Sequence, residues 1–261
     1  MRSARAIAVV ALLIAADITA LLAAEIPQAE RRSGYSFMTP DTQAIQDDDT
    51  TNPGMLGVLD GEALWKKKTG AAGKACADCH EDARASMKGV AARYPAFDKT
   101  LGRPVNLEQR INLCRVQHQQ TTPLPYESHD LLVLAAFVAE QSRGVPIVAG
   151  ADPQLEPFVA EGRELFMQRQ GQLNLGCANC HDDNWDKRLA GSAITQAHPT
   201  GYPLYRLEWQ SLGSLQRRMR ACMTGVRAQA YDYGAPELVE LELYLMSRAQ
   251  GMPIETPAVR P

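Results

Sequence analysis

The chain has 261 residues, 45% hydrophobic and 22% charged, with 27 basic against 30 acidic side chains and a net charge of −3. That length holds two domains but not many. A slightly acidic balance offers no grip on a phosphate backbone, so no nucleic-acid partner is expected.

Arg2 and Arg5 precede an apolar run from Ala6 to Ala24, which ends in small residues before Glu25. This order predicts a secretory signal peptide over residues 1–24, cleaved after Ala24. Asp17 inside the run argues against a retained membrane helix, and no other segment is long and apolar enough to span a bilayer, so no membrane span is expected in the mature chain. In residues 25–55, Arg31, Arg32, Gly34, Pro40, the run Asp47-Asp48-Asp49 and Asn52-Pro53-Gly54 give no sustained period. This stretch is expected to be an arm, either a plain surface extension or a wrap around a partner or the second domain.

The remainder is an internal repeat. Each copy carries a CxxCH motif, Cys76-Ala77-Asp78-Cys79-His80 and Cys177-Ala178-Asn179-Cys180-His181. CxxCH is the attachment signature of haem c: the two thiols add to the haem vinyl groups and the histidine follows as an iron ligand. A zinc site would need a further Cys or His close by, and a redox CxxC has no use for the trailing His. Two covalent haem c groups are therefore expected, on Cys76, Cys79, Cys177 and Cys180, with His80 and His181 as axial ligands. Attachment of such haems outside the bacterial cytoplasm agrees with the signal peptide.

Gly61 and Trp65 stand fifteen and eleven residues before the first motif, and Gly162 and Phe166 do the same before the second. Helical patterns cover Glu62–Lys68 and Phe158–Gln170, then Asp130–Ser142 and Pro236–Arg248, with Phe137 and Tyr244 at equivalent places. The last two end at Gly144-Val145-Pro146-Ile147 and Gly251-Met252-Pro253-Ile254, a Gly stop followed by a helix-breaking Pro. This order resembles the class I cytochrome c fold, in which a small Gly lets the first helix cross closely over an aromatic of the last. The expected fold is mainly α: two tandem class I cytochrome c-like domains, 56–150 and 151–261, the second catalytic, behind the N-terminal arm.

The sixth iron ligand decides function. In the first unit no Met lies between Met87 and the last helix, and Met87 is too close to His80 to cross to the distal side. One lone cysteine follows each motif, Cys114 and Cys222, in equivalent places. Positional matching favours thiolate on both irons, which lowers the potential relative to Met. A Cys114–Cys222 disulfide would tie equivalent sites together and leave both irons without a matched ligand. Around Cys222 lie Arg217, Arg218, Arg220 and Arg227. Positive charge favours thiolate and attracts oxyanions. On a helix, Arg218 shares the face of Cys222, whereas Arg217 and Arg220 point away. His118, His129 and His198 read as surface groups, Met167, Met246 and Met252 as core filling, and Asp182-Asp183 as solvated.

Ser33-Gly34-Tyr35-Ser36-Phe37-Met38, Gln46-Asp47-Asp48-Asp49, Asn52-Pro53-Gly54, Ile111-Asn112, Cys114-Arg115, and Cys222 followed by Val226-Arg227-Ala228 and Tyr231-x-Tyr233-Gly234 carry a more specific likeness. With them the chain resembles the A subunits of the SoxAX cytochromes of bacterial thiosulfate oxidation, in their dihaem form. The resemblance implies oxidative joining of thiosulfate to a cysteine of the carrier protein SoxYZ in the periplasm. It also implies a monohaem SoxX partner, Cys222 as distal ligand and persulfide-bearing residue, and Arg218 as the substrate-binding arginine. A dihaem electron carrier would need no oxyanion cluster. A dihaem peroxidase would need an open distal site with an acid–base residue beside it.

Overall fold

The computed structural model describes residues 26–261; the expected signal peptide lies outside them. The arm opens with 3-10 turns at Gln28–Glu30 and Gly34–Phe37, then forms α1 (Pro40–Asp47). Thr39 caps α1 by accepting the Thr42 N–H, and Pro40 occupies the first turn. The first unit contains α2 (Gly54–Lys66), α3 (Ala77–His80), α4 (Ala83–Ser86), a hairpin of β1 (Ala96–Asp98) and β2 (Arg103–Val105), α5 (Leu107–Cys114) and α6 (His129–Glu140). The second contains α7 (Glu156–Met167), α8 (Cys177–His181), a small β3/β4 hairpin (Arg188–Leu189, Ser192–Ala193), a second hairpin of β5 (Leu204–Arg206) and β6 (Ser211–Gly213), α9 (Leu215–Gly225) and α10 (Pro236–Arg248). The terminal strand β7 (Val259–Arg260) runs parallel to β5.

The first and last helices of each unit cross at a glycine. A Cβ on Gly61 would sit on the Val133 carbonyl oxygen, and one on Gly162 on the Glu240 carbonyl oxygen. That close approach brings the aromatic pairs together in tilted contact, Trp65 with Phe137 at 5.7 Å and Phe166 with Tyr244 at 5.4 Å between centroids. Gly144 (φ +79°) and Gly251 (φ +83°) then turn the chain in the left-handed region.

The segments after those glycines bind each other reciprocally. Ile147 N–H donates to Met252 O (2.9 Å) and Ile254 N–H to Val145 O (3.0 Å), while Gly144 N–H donates to Ile254 O (2.8 Å) and Gly251 N–H to Ile147 O (2.9 Å). Equivalent residues exchange equivalent bonds, so a local two-fold relates the units, as at the contact of a symmetric dimer. A shared apolar cluster of Ala92, Ile147, Ala149, Met246, Ala249 and Ile254 closes this junction.

The arm packs on the second unit. Arg32 N–H donates to Gln196 Oε1 (2.6 Å), Arg31 to Gln250 O (2.8 Å) and Asn52 Nδ2 to Pro257 O (2.9 Å). Gln46 Oε1 accepts from the Val259 N–H (3.1 Å) and from Arg260. Of the two readings of the arm, the wrap over the second unit is therefore the one adopted.

Three side-chain expectations are corrected. His198 is buried rather than superficial, and donates from Nδ1 to Arg32 O at 2.9 Å, because the arm lies over it. Asp182 is not simply solvated: it pairs with the buried Arg248 at 2.5 Å. Met167 ends α7 on the exposed side, while Met246 is buried and Met252 partly so. His118 and His129 are exposed.

Candidate active site

Both CxxCH motifs are bent into short helices by the same device. Asn179 Oδ1 takes the Gly176 N–H at 3.0 Å, and Asp78 Oδ2 takes the Ala75 N–H at 2.9 Å. The second residue after each first cysteine thus ties down the residue before it. In the second unit this sets Cys177, Cys180 and His181 on one helix, whose Cys177 and Ala178 pack with a cluster that includes Phe166, Leu215, Met219, Met223, Leu241 and Leu245.

Cys222 arrives from α9. Ser214 caps that helix by accepting the Arg217 N–H at 3.1 Å, which places Arg218 one turn before the cysteine. His181 Nδ1 lies 2.6 Å from Thr195 O. A carbonyl only accepts, so the proton sits on Nδ1 and Nε2 is the nitrogen left for a ligand. The His181 ring lies close to the Cys222 side chain. Burial pushes the Cys222 thiol up, but the neighbouring His181 and the charges of Arg218 and Arg206 together outweigh it, so its pKa falls below the ordinary thiol value. Cys177, buried in the apolar cluster and facing Cys222, is pushed up to about 12. No disulfide joins any of the six cysteines.

In the first unit the structure brings Cys114 beside Cys79 and Cys76. His80 is exposed, with its ring 5.7 Å from Trp65. Burial raises the Cys114 thiol more than the charge of Arg110 lowers it. Arg110 itself is held by Asp98 at 2.5 Å. Of the other arginines near Cys222, Arg217 lies over Trp209 (4.2 Å) and Arg220 over Tyr233 (4.4 Å), away from the thiol as the helical spacing requires.

Two thiols and an imidazole on one turn against an apolar cluster, with a further thiol approaching from another helix, suit a flat macrocycle held by two thioethers and two axial ligands. The comparisons with known proteins agree. The family profile described as "SoxA/TsdA, cytochrome c domain" matches residues 60–147 and again 161–254. The chain belongs to the SoxA/TsdA cytochrome c family. It is 36% identical to the L-cysteine S-thiosulfotransferase subunit SoxA of Pseudaminobacter salicylatoxidans, over 95% of this chain and 88% of that protein. It is 38% identical to the same subunit from Rhodovulum sulfidophilum, over 88% of this chain and 80% of that one. The crystal structure of SoxXA from P. pantotrophus superposes with a TM-score of 0.85 at 30% identity, covering 88% of this chain and 87% of that one. As a cytochrome c of this family, the chain carries covalently bound haem c.

Two residues beside Cys222 escaped the sequence reading. Arg206 and Tyr202 come from the β5 hairpin, and both lie within the charge environment of Cys222 and Arg218. Their only sequence signal is equivalence with Asp98 and Tyr94, which requires the hairpin register to be known.

Proposed function

We propose that this chain is the dihaem subunit that joins thiosulfate oxidatively to a cysteine of a SoxYZ-type carrier protein. The reaction is carrier–SH plus thiosulfate giving carrier–S–S–SO3−, one proton and two electrons. The observation that carries the reading is Cys222: a thiol close to the motif histidine of its own unit, with Arg218 one helical turn away. Cys76, Cys79, His80 and Cys114 would hold one haem, and Cys177, Cys180, His181 and Cys222 the other. Haem c at the second site would supply one-electron acceptor chemistry.

The chain's own residues do the rest. Arg218 holds the sulfonate end of thiosulfate, leaving its outer sulfur for the Cys222 side. Burial of Cys222 keeps water from the sulfur–sulfur bond while it forms. A thiolate engaged with iron is a weak nucleophile, so either its bond to iron lengthens before Cys222 reacts or Cys222 reacts as the persulfide that the family resemblance implies. Domains are assigned at 56–150 and 151–261, the second catalytic. The mature chain, cut after Ala24, works in the periplasm with a SoxX-type monohaem cytochrome as partner and electron exit. Among the described residues no helix is long and apolar enough to cross a membrane.

The test is conjugation itself. Purified complex, carrier and thiosulfate are incubated with oxidised cytochrome c, and the carrier is weighed by mass spectrometry. A thiosulfonate adduct with matching cytochrome reduction is expected from the wild type and not from Cys222→Ser. Adduct formation at an undiminished rate by the variant would remove Cys222 from the chemistry. An adduct-free wild type would end the reading.

A further inference from the structure

The two units of this chain serve as each other's control. Their hairpins share one register: Ala96 pairs with Val105 and Asp98 with Arg103, as Leu204 pairs with Gly213 and Arg206 with Ser211. The following helices start at Asn106 and Ser214, whose side chains accept from Gln109 N–H and Arg217 N–H, three residues on. Four residues after each cap comes an arginine, Arg110 or Arg218, and four further on comes the cysteine, Cys114 or Cys222. At this constant offset the partner of Arg110 and the neighbour of Arg218 occupy the same place. In the first unit it is Asp98, which neutralises Arg110 at 2.5 Å. In the second it is Arg206.

Two guanidinium groups near enough to repel each other, where the repeat has an ion pair, cost free energy unless an anion offsets them. Arg206 has only 12% of its side chain exposed. Its nearest carboxylate is that of Glu208, 66% exposed, with Oε2 3.0 Å from Nε but out of line for a hydrogen bond, so that the buried Nε has no hydrogen-bond partner. Arg218 forms no ion pair among the described residues. The mostly buried guanidinium, whose carboxylate partner is exposed, thus has a donor to spare near the unpaired Arg218 and a thiol. Its charge already reaches Cys222.

We propose that Arg206 is a second substrate-binding residue, which together with Arg218 clamps the sulfonate end of thiosulfate beside Cys222. Two cations match a dianion, and two planar forks can share three tetrahedrally disposed oxygens. The inference deepens the proposed function and rests on it. It also states why the first unit does not bind the oxyanion: there the same place carries a carboxylate.

The test measures thiosulfate binding to the haem-loaded complex by calorimetry, in parallel with KM and kcat, melting temperature and the haem spectrum. Arg206→Gln is expected to weaken binding and raise KM roughly tenfold or more, the loss typical of a charged hydrogen bond, with kcat changed less. Arg206→Lys, which keeps the charge and loses the fork, recovers most of the affinity. Glu208→Gln leaves affinity unchanged or improves it. Arg206→Gln binding within twofold of wild type, while Arg218→Gln has lost binding, overturns the role of Arg206 and leaves the proposed function standing. A wild type that does not bind thiosulfate overturns both. Should Arg206→Gln fail to fold, a crystal of the wild type soaked with thiosulfate decides: sulfonate oxygens on both arginines support the clamp, and oxygens on Arg218 alone refute it.

Discussion

Gly162→Ala tests the helix crossing that organises the second unit. The new Cβ would meet the Glu240 carbonyl oxygen and lie 2.8 Å from Tyr244 Cβ. The first obstacle is backbone, so α7 and α10 must move apart instead of one side chain swinging away. Overpacking of this kind costs about 3 kcal/mol at the upper end of its usual range. Loosening the Phe166–Tyr244 pair, at 5.4 Å, adds about 1 kcal/mol. Against that, Ala gains about 1 kcal/mol over Gly in a helix interior. The net expectation is a loss of about 3 kcal/mol, a fall in Tm of roughly 6–12 °C for a chain of this size. Gly225→Ala supplies the matched control: Gly225 is also in a helix, but its Cβ would meet nothing within 4 Å. That change should leave Tm unchanged or raise it by a few degrees, on the order of the helix-propensity gain. Thermal melts of both haem-loaded variants, followed by far-ultraviolet dichroism, give the comparison. Equal melting temperatures for the two variants would refute the close crossing.

Glu242 and Glu108 face each other across the junction of the units, and burial pushes them up to about 8 and about 7, with their mutual repulsion adding to the rise for Glu242. Because the folded state holds protons that the unfolded chain releases near pH 4.5, stability is greatest at low pH and falls as pH climbs through 7 to 8. Glu242→Gln should flatten that fall in a Tm-against-pH series; an unchanged slope would assign it elsewhere. Asp182→Ala strands the guanidinium of Arg248, only 5% exposed, and should cost about 3 kcal/mol in a denaturant titration. A loss below about 1 kcal/mol would mean that the pair behaves as a surface one. Low-temperature EPR of the ferric protein should show two low-spin His/thiolate signals, one of them lost in Cys222→Met; signals that do not respond to the substitution would remove Cys222 from the iron.

The attachment motifs, the repeat and the glycine crossings were legible because each is a covalent or steric necessity tied to one residue type. Pro236–Arg248 was located to the residue, since Pro at the first turn and Gly251 beyond the end punctuate it. The sequence pattern starts the first helix of the unit near Glu62, whereas α2 starts at Gly54: Gly54, Gly57 and Gly61 line a closely packed face and hide the helical period. Helix α1 leaves no such pattern, although Thr39 and Pro40 form a readable start, because eight residues carry too little of it. The hairpins have three-residue strands, below the length at which alternation can be recognised. The burial of His198 and the Asp182–Arg248 pair depend on contacts between distant segments, the arm on one and α8 with α10 on the other.

Duplication explains why one chain has two similar sites with unlike chemistry. The local two-fold at Val145–Ile147 and Met252–Ile254 makes the backbones equivalent, so differences between the sites reside in side chains. Asp98 against Arg206 is the difference with the largest electrostatic consequence, since it exchanges a neutral pair for two positive charges beside a thiol. The other asymmetry is cover: the arm meets the first unit through the Arg143–Asp49 pair but lies mainly over the second, where β7 pairs with the strand that carries Arg206. In that register Arg206 stands opposite Arg260, whose own charge is taken up by Glu255 at 2.6 Å. The arm holds Arg260 through Gln46, so its wrap braces the strand from which Arg206 projects. A segment with no chemistry of its own thereby supports the geometry of the charged site.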